Sequence, residues 1–493
     1  MYALLLVALI SIVSQNISYS QIDQGGEDPR ARPNIVFIFV DDLGWSDLSY
    51  QGSKVYETPN VDRLASEGMV FTDFYAAGPV CSPTRASLLT GKYPTRTGIT
   101  TFLLDPERDP GRGIKPHLET SEVTIAEALK KHNYTTGYFG KWHLGYSKEH
   151  WAANQGFDVA IGGMDLPWAW RIAHPNKKAP DMDREKGHTR FFSPHHLTFM
   201  QNGPQGEYLT ERLTNETMNF IENNQDKPFF ALLSFHTVHT PLQAKPEVVE
   251  KYRKKISKMG LLGNEEKSAG SRKHQNLPEY AAMVQHMDEN IGRLLAKLKE
   301  LRIEENTIVV FTSDNGGKQS VTANAPLKGA KHNLDEGGIR VPTIVKWPKI
   351  IQAGSKNSTP LISNDFYPTV LDLAGLPLEP ENHLDGISFK NILVGNSKSV
   401  NRDALFFHYP HSRMEGAVRW KNFKLNYRYE TGECTLYDLS KDIGETKDLS
   451  KEMPGLTNDL TTLLREGLKS TDAKFPEGVS MPVIRLNVKT IKK

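Results

Sequence analysis

Three short stretches of the chain are apolar at nearly every position: residues 33–40 (PNIVFIFV), 227–235 (KPFFALLSF) and 307–313 (TIVVFTS). Each is rich in β-branched or aromatic residues and too short for a helix, so each reads as a strand buried on both faces. Each also ends in a polar cluster: Asp41-Asp42 after the first, His236 to His239 after the second, Asp314-Asn315 after the third. Between the second and third, Tyr280, Met283, Val284, Met287, Ile291, Leu294, Leu295 and Leu298 recur at spacings of three and four, the apolar stripe of an amphipathic helix. Strand, helix, strand in succession implies parallel pairing in an α/β sandwich. Ligands of open α/β sheets gather beyond the carboxyl ends of the strands, so the three polar clusters are expected to share one site.

Residues 259–276 are charged and contain Gly and Ser, which predicts an exposed insertion without chemistry of its own. Beyond about residue 396 the pattern shifts to short strand candidates such as 417–420 and 422–427. The expected fold class is therefore α/β, a large mixed, mostly parallel sheet sandwiched by helices, with a smaller C-terminal α+β subdomain containing an antiparallel sheet. The division expected is 1–20 as a signal peptide, 32–395 as the catalytic domain and 396–493 as the subdomain.

Composition narrows the function. The 493 residues are 38% hydrophobic, enough for a substantial core, and the net charge of +2 gives no field that would mark a nucleic-acid-binding protein. An apolar run of 3–13 followed by small and polar residues to Ser20 reads as a secretory signal, which places the protein outside the cytoplasm, secreted or periplasmic. No later segment is long and apolar enough for stable membrane insertion. Cys81 and Cys434 are the only cysteines. They could pair, but the residues around Cys81 argue otherwise.

Cys81-Ser82-Pro83-Thr84-Arg85 runs on into Ala86-Ser87-Leu88-Leu89-Thr90-Gly91, and a second string reads Gly140-Lys141-Trp142-His143-Leu144-Gly145. Together with Asp41-Asp42, Thr312-Ser313-Asp314-Asn315-Gly316, His239 before Thr240-Pro241, and Lys331 five residues before Glu336-Gly337-Gly338, these resemble the motifs of the formylglycine-dependent sulfatases, in the alkaline-phosphatase-like superfamily. The resemblance covers residues 34–348. It implies that a formylglycine-generating or anaerobic sulfatase-maturating enzyme converts Cys81 to 3-oxoalanine (formylglycine), whose hydrated gem-diol is the nucleophile. It further implies that Asp41, Asp42, Asp314, Asn315 and the modified Cys81 hold one Ca2+; oxygen donors suit a hard cation, with magnesium left open. Lys141 would contact sulfate, His143 the gem-diol, Arg85 the formylglycine, and His239 or Lys331 would protonate the leaving alcohol. Lys141 and His143, two apart on an extended segment, are expected to face one anion together. His236 and Lys328 stand as neighbouring rivals, and the serine that some relatives place near the gem-diol has no counterpart in 156–163.

For the substrate, two segments stand out. Trp168, Arg171 and His174 fall in one aromatic and basic run, and His408, His411 and Arg413 in another within the subdomain. With export, they point to a sulfated carbohydrate, an oligosaccharide cut from a sulfated polysaccharide. Two alternatives remain: a phosphomonoester or phosphonate hydrolase of the same superfamily, and an inactive carbohydrate-binding protein on this scaffold.

Overall fold

The structure is a computed structural model that describes residues 32–104, 113–163, 191–193, 195, 200–268, 271–476, 479 and 481–482. The expected signal segment and Trp168, Arg171 and His174 lie outside the described residues. In chain order the strands are β1 (Asn34–Val40), β2 (Met69–Phe71), β3 (Phe74–Tyr75), β4 (Thr135–Lys141), β5 (Val159–Gly163), β6 (Phe229–Ser234), β7 (Lys267–Ser268), β8 (Ser271–Arg272), β9 (Thr307–Ser313), β10 (Thr343–Lys346), β11 (Ser355–Asn357), β12 (Leu361–Ile362), β13 (Leu405–Tyr409), β14 (Glu415–Trp420), β15 (Phe423–Arg428) and β16 (Cys434–Asp438).

The three fully apolar segments sit side by side at the centre of an eight-stranded sheet of order β11-β2-β10-β9-β1-β6-β4-β5. β1 pairs in parallel with both β6 and β9, and β10 alone runs against the rest. Alternation along β1 explains why the strand is apolar after Asn34. Ile35, Phe37 and Phe39 enter one apolar layer with Ala86, Leu88, Leu89, Ile125 and Val370. Val36, Ile38 and Val40 enter the opposite layer with Leu213, Met283, Met287 and Ile291. Each side chain fully buried there contributes about 1.5–3 kcal/mol. The predicted amphipathic stripe lies on the helix Pro278–Glu300, in that second layer.

The C-terminal strands form an antiparallel sheet β13-β14-β15-β16. One face, through Leu405, Phe407, Tyr409 and Ala417, packs on Tyr75, Val80, Leu334 and Ile339 of the large domain. The helix Pro454–Ser470 covers the other through Leu460, Leu464 and Leu468 against Val418, Leu425 and Leu436. Cys434 on β16 is half-buried and forms no disulfide with Cys81.

The stretch 259–276 departs from expectation. Its tip is exposed at Met259 and Leu262, but its end is anchored: Gln275 donates to Asp47 Oδ1 at 3.2 Å and Ser271 Oγ to the Thr322 carbonyl at 3.1 Å. Polar composition hid this, because hydrogen bonds to the loops after β1 and β9 anchor the end of the segment.

Candidate active site

The carboxyl ends of the central strands do converge. β1 delivers Asp41 and Asp42, β4 ends at Lys141, β6 runs on to His239, and β9 delivers Asp314 and Asn315. Cys81 opens the helix Cys81–Thr90, every residue of which is buried. The helix therefore aims its unpaired backbone N–H groups and the positive end of its dipole at the strand tips.

Around the Cys81 sulfur lie Asp41 Oδ1, Lys141 Nζ and Lys331 Nζ, each at 3.4 Å. Lys141 donates to Asp41 Oδ2 at 2.7 Å and Lys331 to Asp42 Oδ1 at 2.5 Å. Arg85 uses its whole guanidinium: Nε and Nη2 donate to Asp314 Oδ2 at 3.0 and 2.7 Å, and Nη1 donates to the Lys141 carbonyl and to Ser234 Oγ at 2.8 and 2.7 Å. It thus ties three strand ends together. Ser234, at the last position of β6, had no motif to announce it.

Lys331 is carried here by backbone contact. Gly316, after Asn315, donates to the Gly338 carbonyl at 2.9 Å, and a Cβ at Gly316 would lie 1.9 Å from the Gly337 carbonyl oxygen. The glycines of Asp-Asn-Gly and Glu-Gly-Gly let two loops touch main chain to main chain. Lys328, the rival, points away, 3.2 Å from Tyr437 Oη and 3.3 Å from Asp335.

His143 reaches the site by a route other than the expected one. β4 stops at Lys141, and His143 is left-handed with φ 59°, so the two residues do not share a strand face; a turn brings His143 in. Its Nε2 donates to the Leu103 carbonyl at 3.0 Å, so Nδ1 carries the lone pair, and that buried atom has no hydrogen-bond partner among the described residues. Burial, with the Lys141 charge adding, holds the ring well below the usual imidazole range and therefore neutral. His239 is likewise pushed down to about 3, by burial first and then by Lys331 and Lys141 against the pull of Asp42. Its Nδ1 donates to the Thr240 carbonyl at 2.6 Å, which turns the Nε2 lone pair toward Asp42 Oδ2, 3.6 Å away.

A cation fits this arrangement. Asp42 Oδ2 and Asn315 Oδ1 are buried without hydrogen-bond partners among the described residues. One ligand atom each from Asp41, Asp42, Cys81 and His239 lies within 4.8 Å of the others. Asp314 is engaged by Arg85 and by the Asp42 N–H at 3.1 Å; burial and the Asp41 charge push it up to about 6 against that arginine, a crowding of carboxylates that a cation relieves. His239 thus joins the candidate ligands, which the motif alone did not indicate. Burial alone would raise Asp42, but Lys331, His239 and Lys141 hold it well below the usual carboxylate range. Burial, with Asp314 and Asp41 adding, keeps the Cys81 thiol protonated, so it is a poor nucleophile as cysteine.

Comparison with known proteins decides the family. The sulfatase family model matches residues 33–376, and a second, described as N-sulphoglucosamine sulphohydrolase, C-terminal, matches 330–474. The chain belongs to the sulfatase family. It is a sulfuric ester hydrolase. A sulfatase of Formosa agariphila is 32% identical, the match covering 91% of this chain and 90% of that protein. Human steryl-sulfatase is 31% identical over 79% of this chain and 74% of its own. The crystal structure of Ps i-CgsB in complex with k-i-k-neocarrahexaose superposes with a TM-score of 0.73 at 32% identity, covering 90% of this chain and 94% of that one.

Beyond its reacting centre, the sulfatase has a rim where the subdomain meets the catalytic domain. His411 Nε2 lies 2.8 Å from Thr100 Oγ1, and Arg413 Nη1 3.8 Å from Asp335, so both sit at this junction. His408 does not. Its Nδ1 is 2.7 Å from Tyr429 Oη, its Nε2 2.9 Å from the Lys474 carbonyl, and the ring is buried against Phe475. His408 is a core residue and leaves the substrate set, because alternation along β13 turns it to the covered face. Among the described residues no helix is long and apolar enough to cross a membrane.

Proposed function

We propose that this sulfatase is exported and removes sulfate from a carbohydrate, an oligosaccharide of a sulfated polysaccharide, using formylglycine at position 81. The observation that carries the reading is the surroundings of Cys81: a buried position flanked by Lys141, Lys331 and Asp41, where a thiolate is disfavoured and a neutral gem-diol oxygen would be welcome. A gem-diol oxygen attacks sulfur as its proton passes to Asp41, the carboxylate in contact with position 81, the bond from sulfur to the ester oxygen breaks, and the alcohol leaves with a proton from Lys331, which is held charged beside Asp42. His143 Nδ1 then accepts the proton of the remaining hydroxyl, the C–O bond to sulfate breaks, and water rehydrates the aldehyde. A serine could accept sulfate but has no second hydroxyl to expel it.

Asp41, Asp42 and Asn315, with Asp314 and the modified residue 81, would hold a divalent cation, calcium by the preference of carboxylate and amide oxygens. Bound there, the cation supplies charge against the sulfate oxygens. Arg85 keeps the strand ends in register and Lys141 faces the anion. Because Cys81 and its whole helix are buried, a maturation enzyme must read the motif before the chain folds around it.

The carbohydrate reading is supported by the likeness to Ps i-CgsB, solved with a carrahexaose, and by the polar rim at Thr100, His411 and Arg413. The test has two parts. Mass spectrometry of the Cys81 peptide, after co-expression with a maturation enzyme, should show the mass lost when a thiol becomes an aldehyde. Matched sulfate and phosphate esters should then be compared; a preference for phosphate, or an unmodified Cys81 in an active enzyme, refutes the reading.

A further inference from the structure

We infer that His332 selects the leaving group, donating from Nε2 to an acceptor oxygen, a hydroxyl or ring oxygen, on the sugar that carries the sulfate. The assignment rests on the sulfatase reading above and names a contact that none of the motifs contains. His332 follows Lys331 directly and has φ 74°, a left-handed conformation that is uncommon outside glycine, though histidine adopts it more readily than most. Its backbone N–H is fixed on the Pro79 carbonyl at 2.9 Å, two residues before Cys81, so the side chain springs from a point locked to the nucleophile's own loop.

The ring is oriented by the other domain. Ser412 Oγ donates to Tyr409 Oη at 3.3 Å, and that hydroxyl lies 3.2 Å from His332 Nδ1. With its oxygen accepting from Ser412, the tyrosine's single proton is available to Nδ1, and we take it to lie there. Nδ1 is then the acceptor, and Nε2 carries the ring's hydrogen. Among the described residues Nε2 has no hydrogen-bond partner, the side chain is only partly buried, and Phe102 closes one side of the ring edge-on at a centroid distance of 5.8 Å. Burial, with the Lys331 charge adding, lowers the imidazole to about 4, so the ring stays a neutral donor at neutral pH. A neutral N–H beside the residue that protonates the leaving oxygen suits a polyol, whose lone pairs adjoin the ester, and offers nothing to a flat aryl leaving group.

The discriminating variant is His332→Asn. Asparagine tolerates the left-handed backbone and can still meet Tyr409, but it ends short of Nε2. In the matured enzyme, kcat/KM is measured for 4-nitrophenyl sulfate and for the sugar sulfate that the wild type turns over fastest among galactose, glucose and N-acetylglucosamine monosulfates and carrageenan oligosaccharides. His332→Asn should lose about tenfold to hundredfold on the sugar, the cost of an unmade hydrogen bond in a site built for it, and less than about threefold on the aryl ester. His332→Gln, whose amide reaches the Nε2 position, should recover part of the loss, and Tyr409→Phe should lose less than His332→Asn but with the same selectivity for the sugar. Equal losses on both substrates would show that His332 acts only through Lys331, and no loss on either would make it a bystander; both overturn the assignment. A wild type active on the aryl ester but on no sugar refutes the carbohydrate reading and the assignment together, and a wild type inert toward all sulfate esters refutes the sulfatase mechanism first.

Discussion

Lys424 offers the sharpest test of how the subdomain supports the catalytic loop. It lies on β15 with its side chain fully buried, 3.0 Å from Glu336 and 3.1 Å from Glu445. Glu445 Oε2 accepts the N–H of Glu336 at 2.7 Å, and Glu336 opens the turn that follows Lys331. Replacing Lys424 by Met fills the volume but leaves two buried carboxylates facing each other; Arg340 still reaches Glu336 at 3.1 Å, while Glu445 keeps no ion-pair partner among the described residues. Breaking one partner of a buried pair costs about 3–5 kcal/mol. At about 2.1 cal/mol/K per residue, a chain of 493 residues unfolding as a unit loses about 1 °C of Tm per kcal/mol, so Tm should fall by about 3–5 °C. Burial already raises Glu445 to about 7, with Asp335 and Glu336 adding and Lys424 opposing. A carboxyl raised in the folded state gives stability that is full below its unfolded value and is lost as pH rises through about 7. Lys424→Met raises it further, so the Tm difference from wild type should be larger at pH 8 than at pH 5, and adding Glu445→Gln should return more than half of it. Differential scanning calorimetry decides. A Tm loss below about 1 °C, or one independent of pH, would refute the claim that this lysine holds the two glutamates in place.

Other outcomes follow from the same geometry. Matured protein should lose most of its turnover in excess EDTA and regain it with Ca2+, and in the Asn315→Ala variant the Ca2+ concentration for half-recovery should rise by about tenfold or more, as expected for a buried ligand removed. Cys81→Ser should fold with unchanged Tm but stop after accepting sulfate, seen as one added sulfate by intact mass spectrometry under single-turnover conditions. Asp47→Asn keeps one accepting oxygen and turns its amide hydrogens toward either the Tyr280 or the Thr322 hydroxyl, which donate to different oxygens of this carboxylate at 2.6 Å each; stability should drop by about 1–3 kcal/mol, and denaturant titration checks it. Burial raises Asp47 to about 6 against those hydrogen bonds, so the stability it contributes is present below its usual value and lost as pH rises through 6.

How much of this could be read from the chain depends on what kind of physics placed each residue. β1, β6 and β9 were legible because a strand buried on both faces has no room for polar residues, and their polar tips followed from the α/β rule about strand ends. Cys81, Arg85, Lys141, Asp314 and Asn315 were legible because their motifs are local strings. His143 belongs to the same kind of local string, but extended alternation does not aim it beside Lys141; a left-handed residue makes the turn. His408 has aromatic and basic neighbours in sequence, but strand alternation sends it inward, whereas His411 reaches the rim because it lies past the end of β13. Ser234, His332, Tyr409 and Lys424 carry no signal at all, since their roles arise from contacts between segments 77 to 149 residues apart.

The reacting centre is balanced rather than electropositive, and this sets its requirement for a cation. Asp41, Asp42 and Asp314 face Arg85, Lys141 and Lys331 at 2.5–3.0 Å. A sulfate monoester entering such a cluster brings one further negative charge, and the lysines can turn to it only by weakening their hold on Asp41 and Asp42. A divalent cation on Asp42 Oδ2 and Asn315 Oδ1 would compensate those carboxylates, freeing Lys141 and Lys331 to follow the charge from the ester to the leaving oxygen. On this argument removal of the cation should raise KM for sulfate esters as well as lower kcat, because both lysines fall back onto the aspartates. If chelation lowered kcat alone, with KM unchanged, the lysines would have to be free without the cation, and the balance of charge described here would be the wrong account of the site.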